Sequence, residues 1–157
     1  MQIEINGLPV YYEIHGQGRP LVCIHGFSPD HHLMTGCMEP IFDQRDGWQR
    51  IYLDLPGMGK TPAPDWITNT DDMLDLVLAF IDKIIPGQNF TVAGESYGGY
   101  LAQGIVHHRP ELVDGVLLIC PLSEADSDKR HNPPKVQLVQ DHDLLASLTD
   151  EQREGFQ

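Results

Sequence analysis

Hydrophobic and polar positions at the start of the chain predict three strands. Segments 2–5 and 10–15 are rich in Ile, Val and Tyr, and the pair Asn6-Gly7 between them is a strong hairpin signal. Segment 21–24 is apolar throughout, which is typical of a strand buried on both faces of a sheet. The pattern therefore predicts an antiparallel hairpin followed by a buried strand.

Apolar residues that recur every three or four positions predict helices further along. The strongest pattern covers 71–85, with Thr70 as a candidate N-cap and Pro86 just beyond the end. A weaker pattern, interrupted by a Gly and a Pro, covers 31–45, and a third covers 100–108. Since strands alternating with helices imply right-handed crossovers, we expect an α/β fold with a mostly parallel sheet and flanking helices. The remaining predicted strands are 50–53, 90–93 and 113–120.

The last part of the chain loses this alternation. A polar stretch with consecutive prolines predicts a linker, and short amphipathic helices are predicted from 135 to 156. Thr149 and Gln152 have the spacing of a capping box. The predicted organisation is therefore a sheet-bearing part, 1–121, followed by a linker and helices, 122–157.

The chain is acidic, with 23 Asp and Glu against 10 Lys and Arg and a formal charge of −13. This balance disfavours nucleic acid and anionic membranes as partners, since both attract cationic surfaces. The N-terminus lacks a signal-peptide pattern, and no apolar run approaches the roughly 18 residues of a membrane span. We therefore expect a cytoplasmic protein.

The three cysteines have no spacing that indicates a disulfide or a metal site. Cys23 and Cys120 lie inside apolar runs. Both are therefore predicted to be buried free thiols.

One motif carries candidate chemistry. Gly94-x-Ser96-x-Gly98 follows a predicted strand and precedes a predicted helix, which is the context of a nucleophile elbow. In such a turn the serine hydroxyl stands clear of the sheet, and the helix N-terminus stabilises developing negative charge. A serine that only caps the helix is the simpler alternative. A phosphate-binding loop has less support, because the chain has neither a Walker lysine nor G-x-G-x-x-G spacing.

The elbow is the third of three motifs that follow successive predicted strands. The first two are His25-Gly26-Phe27 and the sequence DLPGMG at 54–59, and the elbow itself reads GESYGG at 94–99. Over residues 1–121 this order and spacing resemble the N-terminal part of the α/β-hydrolase superfamily, more narrowly its cap-bearing serine esterase and carbon–carbon-bond hydrolase branch. The resemblance implies that 122–157 begins a helical cap, and that the C-terminal strands of the fold are missing from this chain.

The resemblance also implies roles for individual residues. Ser96 matches the nucleophile, and Phe27 and Tyr97 match the positions whose backbone N–H groups form the oxyanion hole. His25 would brace the oxyanion loop, and Asp54 would shape the loop after its strand. The matching glycines would be structural: Gly26, Gly57, Gly94 and Gly98. The implied reaction is hydrolysis of an ester or other acyl bond of a small molecule, which requires no metal or organic cofactor.

A serine nucleophile needs a histidine base and an acid that orients it. The resemblance implies that both lie C-terminal to the cap, outside this chain. His31 and His32 follow the oxyanion position and are candidates to approach the site, whereas His107 and His108 lie roughly 16 Å along the elbow helix. The remaining candidates have less support: Glu95, Glu124, Asp126, His131 and His142.

Residues 116–120 of the predicted strand 113–120 are all apolar, so this strand needs cover on both faces and a neighbour. Three interpretations follow: a fragment of a longer enzyme, one piece of a complex that supplies the remainder, or a truncated product that self-associates. The alternative to a serine hydrolase is a non-catalytic binding module with an α/β-hydrolase-like fold. Serine at position 96 argues against haloalkane dehalogenases and epoxide hydrolases, which the resemblance associates with aspartate there.

Overall fold

The structure, a computed structural model, describes residues 1–131, 134, 136 and 141–149. One six-stranded sheet forms the frame of the first of two compact units, Met1–Ala125. Its strands are β1 (Gln2–Ile5), β2 (Leu8–His15), β3 (Arg19–Ile24), β4 (Trp48–Leu53), β5 (Phe90–Glu95) and β6 (Val113–Ile119).

The order across the sheet is β1-β2-β4-β3-β5-β6. The strands β3 to β6 pair in parallel, whereas β1 with β2 and β2 with β4 are antiparallel. The predicted fold class, α/β with a mostly parallel sheet and flanking helices, is confirmed.

The hairpin at the start of the sheet turns where the sequence predicts it. Asn6 and Gly7 have φ angles of 51° and 80°, and two successive positive values are what a type I′ turn requires. The register pairs Ile5 with Leu8, so β2 begins two residues earlier than predicted.

Helices cover both faces of the sheet, and β3 shows how its residues are shared between them. Leu21 and Cys23 pack into a cluster with Met34 and Met38 of the first helix, whereas Val22 and Ile24 belong to the larger cluster beneath the other two helices. Each buried apolar side chain contributes about 1.5–3 kcal/mol, so both clusters stabilise the strand. The helices are α1 (His31–Phe42), α2 (Thr70–Ile84) and α3 (Tyr97–His108).

The starts of two helices differ from the prediction. Asn69, not Thr70, caps α2, because its side chain accepts hydrogen bonds from the N–H groups of Asp71 at 2.8 Å and Asp72 at 3.0 Å. Thr70 is instead the first helical residue. The helix α3 begins at Tyr97, three residues earlier than predicted, because the turn at Ser96 leads directly into it.

The outer edge of the sheet is β6, and its apolar side chains are exposed. The exposed fractions are 48% for Val116, 42% for Leu117 and 37% for Leu118. Cys120, just beyond the strand, is also exposed, so the prediction that it is buried was wrong. One side of β6 pairs with β5, and its outer side has no neighbouring strand among the described residues. Cys23 is buried as predicted, and burial raises the pKa of its thiol.

The second compact unit is Asp126–Gln157. Its described elements are a 3-10 turn, Ser127–Lys129, and the short helix α4, His142–Ser147. The predicted capping box falls partly outside the described residues, since these include Thr149 but not Gln152. Among the described residues, no helix is long and apolar enough to cross a membrane.

Candidate active site

The strand β5 ends in a strained turn at Ser96. Ser96 has φ 50° and ψ −112°, and such a backbone costs about 1–3 kcal/mol in a residue other than glycine. Its N–H donates to the carbonyl of Ile119 at 3.0 Å, and its own carbonyl accepts from Leu122 at 2.9 Å and Tyr100 at 3.2 Å. Three backbone hydrogen bonds therefore hold the turn, and the half-buried serine side chain takes no part in capping α3.

Three glycines allow the backbone to pack closely around this serine. A Cβ on Gly94 would collide with the carbonyl of Gly98, and a Cβ on Gly98 would collide with the carbonyl of Ile24. A Cβ on Gly26 would lie 3.2 Å from Cβ of Ser96. The ends of β3 and β5 and the start of α3 thus meet at Ser96, at the carboxyl edge of the parallel strands.

The two candidate oxyanion-hole residues lie side by side. Phe27 follows the end of β3 and is 70% exposed, while Tyr97 is the first residue of α3. Their rings meet edge to face with centroids 6.0 Å apart. The first N–H groups of a helix have no intrahelical acceptor and carry its positive dipole end. This position therefore offers N–H donors and positive potential beside Ser96.

His25 joins the loop after β3 to the loop after β4. Its ring is fully buried, Nδ1 donates to the carbonyl of Gly26 at 2.7 Å, and Nε2 accepts from the N–H of Leu55 at 2.9 Å. Burial lowers the pKa of His25, which favours this neutral form. Because both ring nitrogens are engaged, the geometry does not offer His25 as a base for Ser96.

Asp54 ties the same two loops together and is fully buried. One carboxylate oxygen accepts from the N–H and from Nδ1 of His31, at 2.8 and 2.7 Å, and the other accepts from the N–H of Lys60 at 2.8 Å. The opposite ring nitrogen of His31 lies 3.2 Å from Oε1 of Glu13 on β2. The sequence points to Asp54 as a residue that follows a buried strand, but it contains no local signal for the contact with Glu13.

The remaining candidate histidines have surroundings of their own. His32 is exposed and pairs with Asp30 at 2.9 Å, and His107 and His108 end α3 as predicted. One side-chain nitrogen or oxygen atom from each of Asp30, His31 and His32 lies close enough to the others to hold a metal ion, but each residue already has a hydrogen-bond partner in the protein. Among the described residues, no histidine ring is hydrogen-bonded to Ser96.

The carboxylates proposed from sequence differ in their surroundings. Glu95 lies against Gly26, beside the elbow, and Glu124 is half-buried. Asp126 is exposed and pairs with Lys129 at 3.2 Å within the second unit. His131 and His142 of that unit are exposed.

A pocket of about 500 Å³ opens beside the elbow. Both candidate oxyanion residues line it, whereas Ser96 does not. Most of the remaining wall is apolar, and the polar part consists of the uncharged residues Ser28, Thr68, Asn69 and Thr70. Its apolar residues include Met58, Pro64, Ile67 and Met73. The pocket is therefore suited to an uncharged, largely apolar group.

Proteins similar to this chain include named hydrolases. Residues 19–150 match the family model described as the alpha/beta hydrolase fold. A pimeloyl-[acyl-carrier protein] methyl ester esterase of Legionella pneumophila is 33% identical over 70% of this chain and 41% of its own length. An (E)-2-((N-methylformamido)methylene)succinate hydrolase of Acinetobacter baylyi is 29% identical over 72% of this chain and 41% of its own length.

A solved structure of an alpha/beta superfamily hydrolase is also similar to this chain. An alpha/beta superfamily hydrolase of Oenococcus oeni superimposes with a TM-score of 0.74 at 35% identity, covering 87% of this chain and 53% of that one. The chain thus spans about half the length, or less, of the relatives it matches. The match over residues 19–150, together with the elbow and sheet described above, shows that this chain belongs to the alpha/beta hydrolase fold family.

Proposed function

We propose that this chain carries the nucleophile and the oxyanion hole of a serine hydrolase that cleaves an ester or other acyl bond of a small molecule. The observation that carries the proposal is the backbone of Ser96, held at φ 50° between β5 and α3. Strain of this kind persists where the surrounding structure holds it in place, and it is often part of a functional site.

In this mechanism Oγ of Ser96 attacks the acyl carbon, and the electron pair of the carbonyl moves onto oxygen. The backbone N–H groups of Phe27 and Tyr97 bind that oxyanion, each contributing about 3 kcal/mol to the transition state. A histidine outside this chain takes the serine proton and returns it to the leaving group, and an acid orients that histidine. Water then releases the acyl group by the same route.

The residues of the pocket wall indicate which kind of substrate group would fit there. It has no charged side chain among the described residues, and most of its lining residues are apolar. A buried carboxylate or ammonium group without a partner would be costly there. We propose a neutral, apolar acyl or alcohol group as the part of the substrate that fills this pocket. The two named relatives act on an ester and on a succinate derivative, so neither fixes the substrate of this chain.

A second candidate is a non-catalytic binding module that keeps the pocket without the triad. The observation that favours it is the absence, among the described residues, of a histidine hydrogen-bonded to Ser96. In that case the pocket would bind a neutral small molecule without turnover. The partner that completes the sheet at β6 would be a C-terminal remainder or a second copy of the chain.

Labelling with a fluorophosphonate separates the two candidates, because such probes require an activated serine. The 157-residue chain, with imidazole added to supply the base that the proposal places outside it, would be compared with Ser96→Ala and with Ser28→Ala, a matched control at a serine that lines the pocket. For the hydrolase we expect labelling of the wild type and of Ser28→Ala, and none of Ser96→Ala. No labelling of a folded wild-type sample would overturn the hydrolase proposal for this chain and favour the binding module.

A further inference from the structure

The imidazole of His31 lies between two carboxylates that belong to different elements. Nδ1 is 2.7 Å from the buried Asp54, and Nε2 is 3.2 Å from Oε1 of Glu13. The side chain of His31 is fully buried, although it is the first residue of α1. Nδ1 is hydrogen-bonded to Asp54, whereas Nε2 faces the carboxylate of Glu13 without forming a hydrogen bond to it.

Glu13 is itself fixed as an anion. The hydroxyl of Tyr11 donates to Oε1 at 2.7 Å, and Nε2 of His15 lies 3.2 Å from Oε2. The hydroxyl of Tyr11 and the neighbouring histidines lower the pKa of Glu13 to about 2, against the effect of burial. Negative charge therefore faces Nε2 of His31 at neutral pH.

His31 is close in the chain to Phe27, so its contacts can affect the position of the Phe27 backbone. Only three residues separate it from Phe27, whose N–H is the first candidate oxyanion donor. Phe27 is 70% exposed, and Ser28 has a φ of 79°, so this short segment has little packing of its own. One of its ends is held by His25 and the other by His31.

We infer that His31 is a positioning residue, whose imidazole fastens the segment that carries the Phe27 N–H to Asp54 by a hydrogen bond and places Nε2 against the carboxylate of Glu13. The inference rests on the proposed function for its catalytic meaning, since it deepens the account of the oxyanion hole. The second donor, the N–H of Tyr97, lies on α3 and does not depend on His31. The backbone order of Phe27 can therefore be compared with that of Tyr97 in the same molecule.

The test is the order parameter of the Phe27 backbone amide, measured by nitrogen-15 relaxation on the whole chain. In the wild type we expect about 0.85 for Phe27 and for Tyr97, the value of rigid backbone. In His31→Ala we expect Phe27 to fall below about 0.6, while Tyr97 stays rigid. Losing a buried charge-assisted hydrogen bond shifts the equilibrium between ordered and open loop about ten-fold or more.

Two further variants separate positioning from general destabilisation. His31→Asn places a side-chain N–H where Nδ1 donates to Asp54, so we expect it to restore most of the order at Phe27. His32→Ala removes the exposed neighbouring ring and should leave both amides unchanged. If His31→Ala does not fold, His31→Asn against a His31→Leu variant, which fills the site without a donor, gives the same comparison.

The inference is overturned if Phe27 is as ordered in the donor-free variants as in the wild type, or if Phe27 and Tyr97 lose order together. This outcome is independent of catalysis, because it is read on the free chain without a probe. Fluorophosphonate labelling that fails while Phe27 responds to His31 would overturn the proposed function alone.

Discussion

The ring of His25 and the backbone of Leu55 are joined by a hydrogen bond of 2.9 Å across two loops. The loops come from β3 and β4, which are neighbours in the sheet, and both residues are buried. Because Nε2 of His25 is the acceptor, the bond exists only while the imidazole is neutral. The lowered pKa of this histidine and its hydrogen bonding thus favour the same protonation state.

The bond predicts a cost for His25→Phe, a change that keeps a ring of similar volume. The N–H of Leu55 would lose its acceptor in a buried site, so we expect the free energy of unfolding to fall by about 1–3 kcal/mol. Urea unfolding measures this difference. His107→Phe, at the exposed end of α3, is the control and should change stability by less than about 0.5 kcal/mol. Equal stability of His25→Phe and wild type would show that the bond contributes nothing.

The ion pair of Glu39 and Arg50 predicts part of the loss of folding stability at low pH. Two hydrogen bonds of 2.7 and 3.0 Å join them, and the Arg50 guanidinium is the main reason that the pKa of Glu39 is lowered from 4.5 to about 2. A lowered folded-state pKa stabilises the protein above the unfolded value, and that contribution is lost as pH falls from about 5 towards 2. The wild type should therefore lose stability over this interval.

The matched variant is Glu39→Gln, which cannot ionise. At pH 7 we expect it to be about 1–2 kcal/mol less stable than the wild type, a figure reduced for partial exposure of the pair. The difference should shrink as pH falls from 5 to 2, and urea unfolding at several pH values measures it. Glu111→Gln, at an exposed carboxylate, is the control. A difference that stays constant with pH would contradict the assignment.

Replacing glycine by alanine should have opposite effects on stability at two helical positions, Gly98 and Gly36. A Cβ on Gly98 would meet the carbonyl oxygen of His25 at 2.6 Å, so Gly98→Ala should cost about 1–3 kcal/mol by overpacking. Gly36 of α1 is exposed and has no atom within 4 Å of an added Cβ. Gly36→Ala should therefore stabilise by about 0.5–1 kcal/mol. Thermal unfolding of both variants measures the pair, and a like sign for the two would contradict the packing described at the elbow.

Local patterns predicted most elements of the fold, because the spacing of apolar residues and the residue types of turns depend on only a few neighbouring positions. The hairpin at Asn6-Gly7 and the buried strand containing 21–24 are examples. The cap of α2 was misplaced by one residue, since Asn69 and Thr70 are both residue types that cap helices. The early start of α3 was missed because Gly98 and Gly99 weaken the helical pattern.

The polar contacts beneath the oxyanion segment could not be predicted in the same way. Glu13 and His31 come together because β2, β4 and β3 are adjacent in the sheet, and that order is not a local property of the sequence. The elbow was predictable for the opposite reason, since its glycines and serine are neighbours in the chain. That the histidine base for Ser96 lies outside this chain stays a prediction.

The exposed edge at β6 predicts self-association of the 157-residue chain. Val116, Leu117 and Leu118 are between 37% and 48% exposed, and the outer side of the strand has no neighbour among the described residues. An apolar edge with unpaired backbone groups is a template for another strand, and a second copy supplies one. We expect light scattering to give a mass above that of the 17.6 kDa chain at micromolar concentration.

Leu117→Lys tests this edge, because a charge on an edge strand opposes pairing with another strand. We expect the measured mass to fall towards that of one chain. The matched control is Ile41→Lys on α1, where the wild-type side chain is 45% exposed, close to the 42% of Leu117. If both lysine variants lower the mass equally, general surface hydrophobicity explains the association; if neither does, the contact lies elsewhere. Only a selective effect of Leu117→Lys supports pairing through β6.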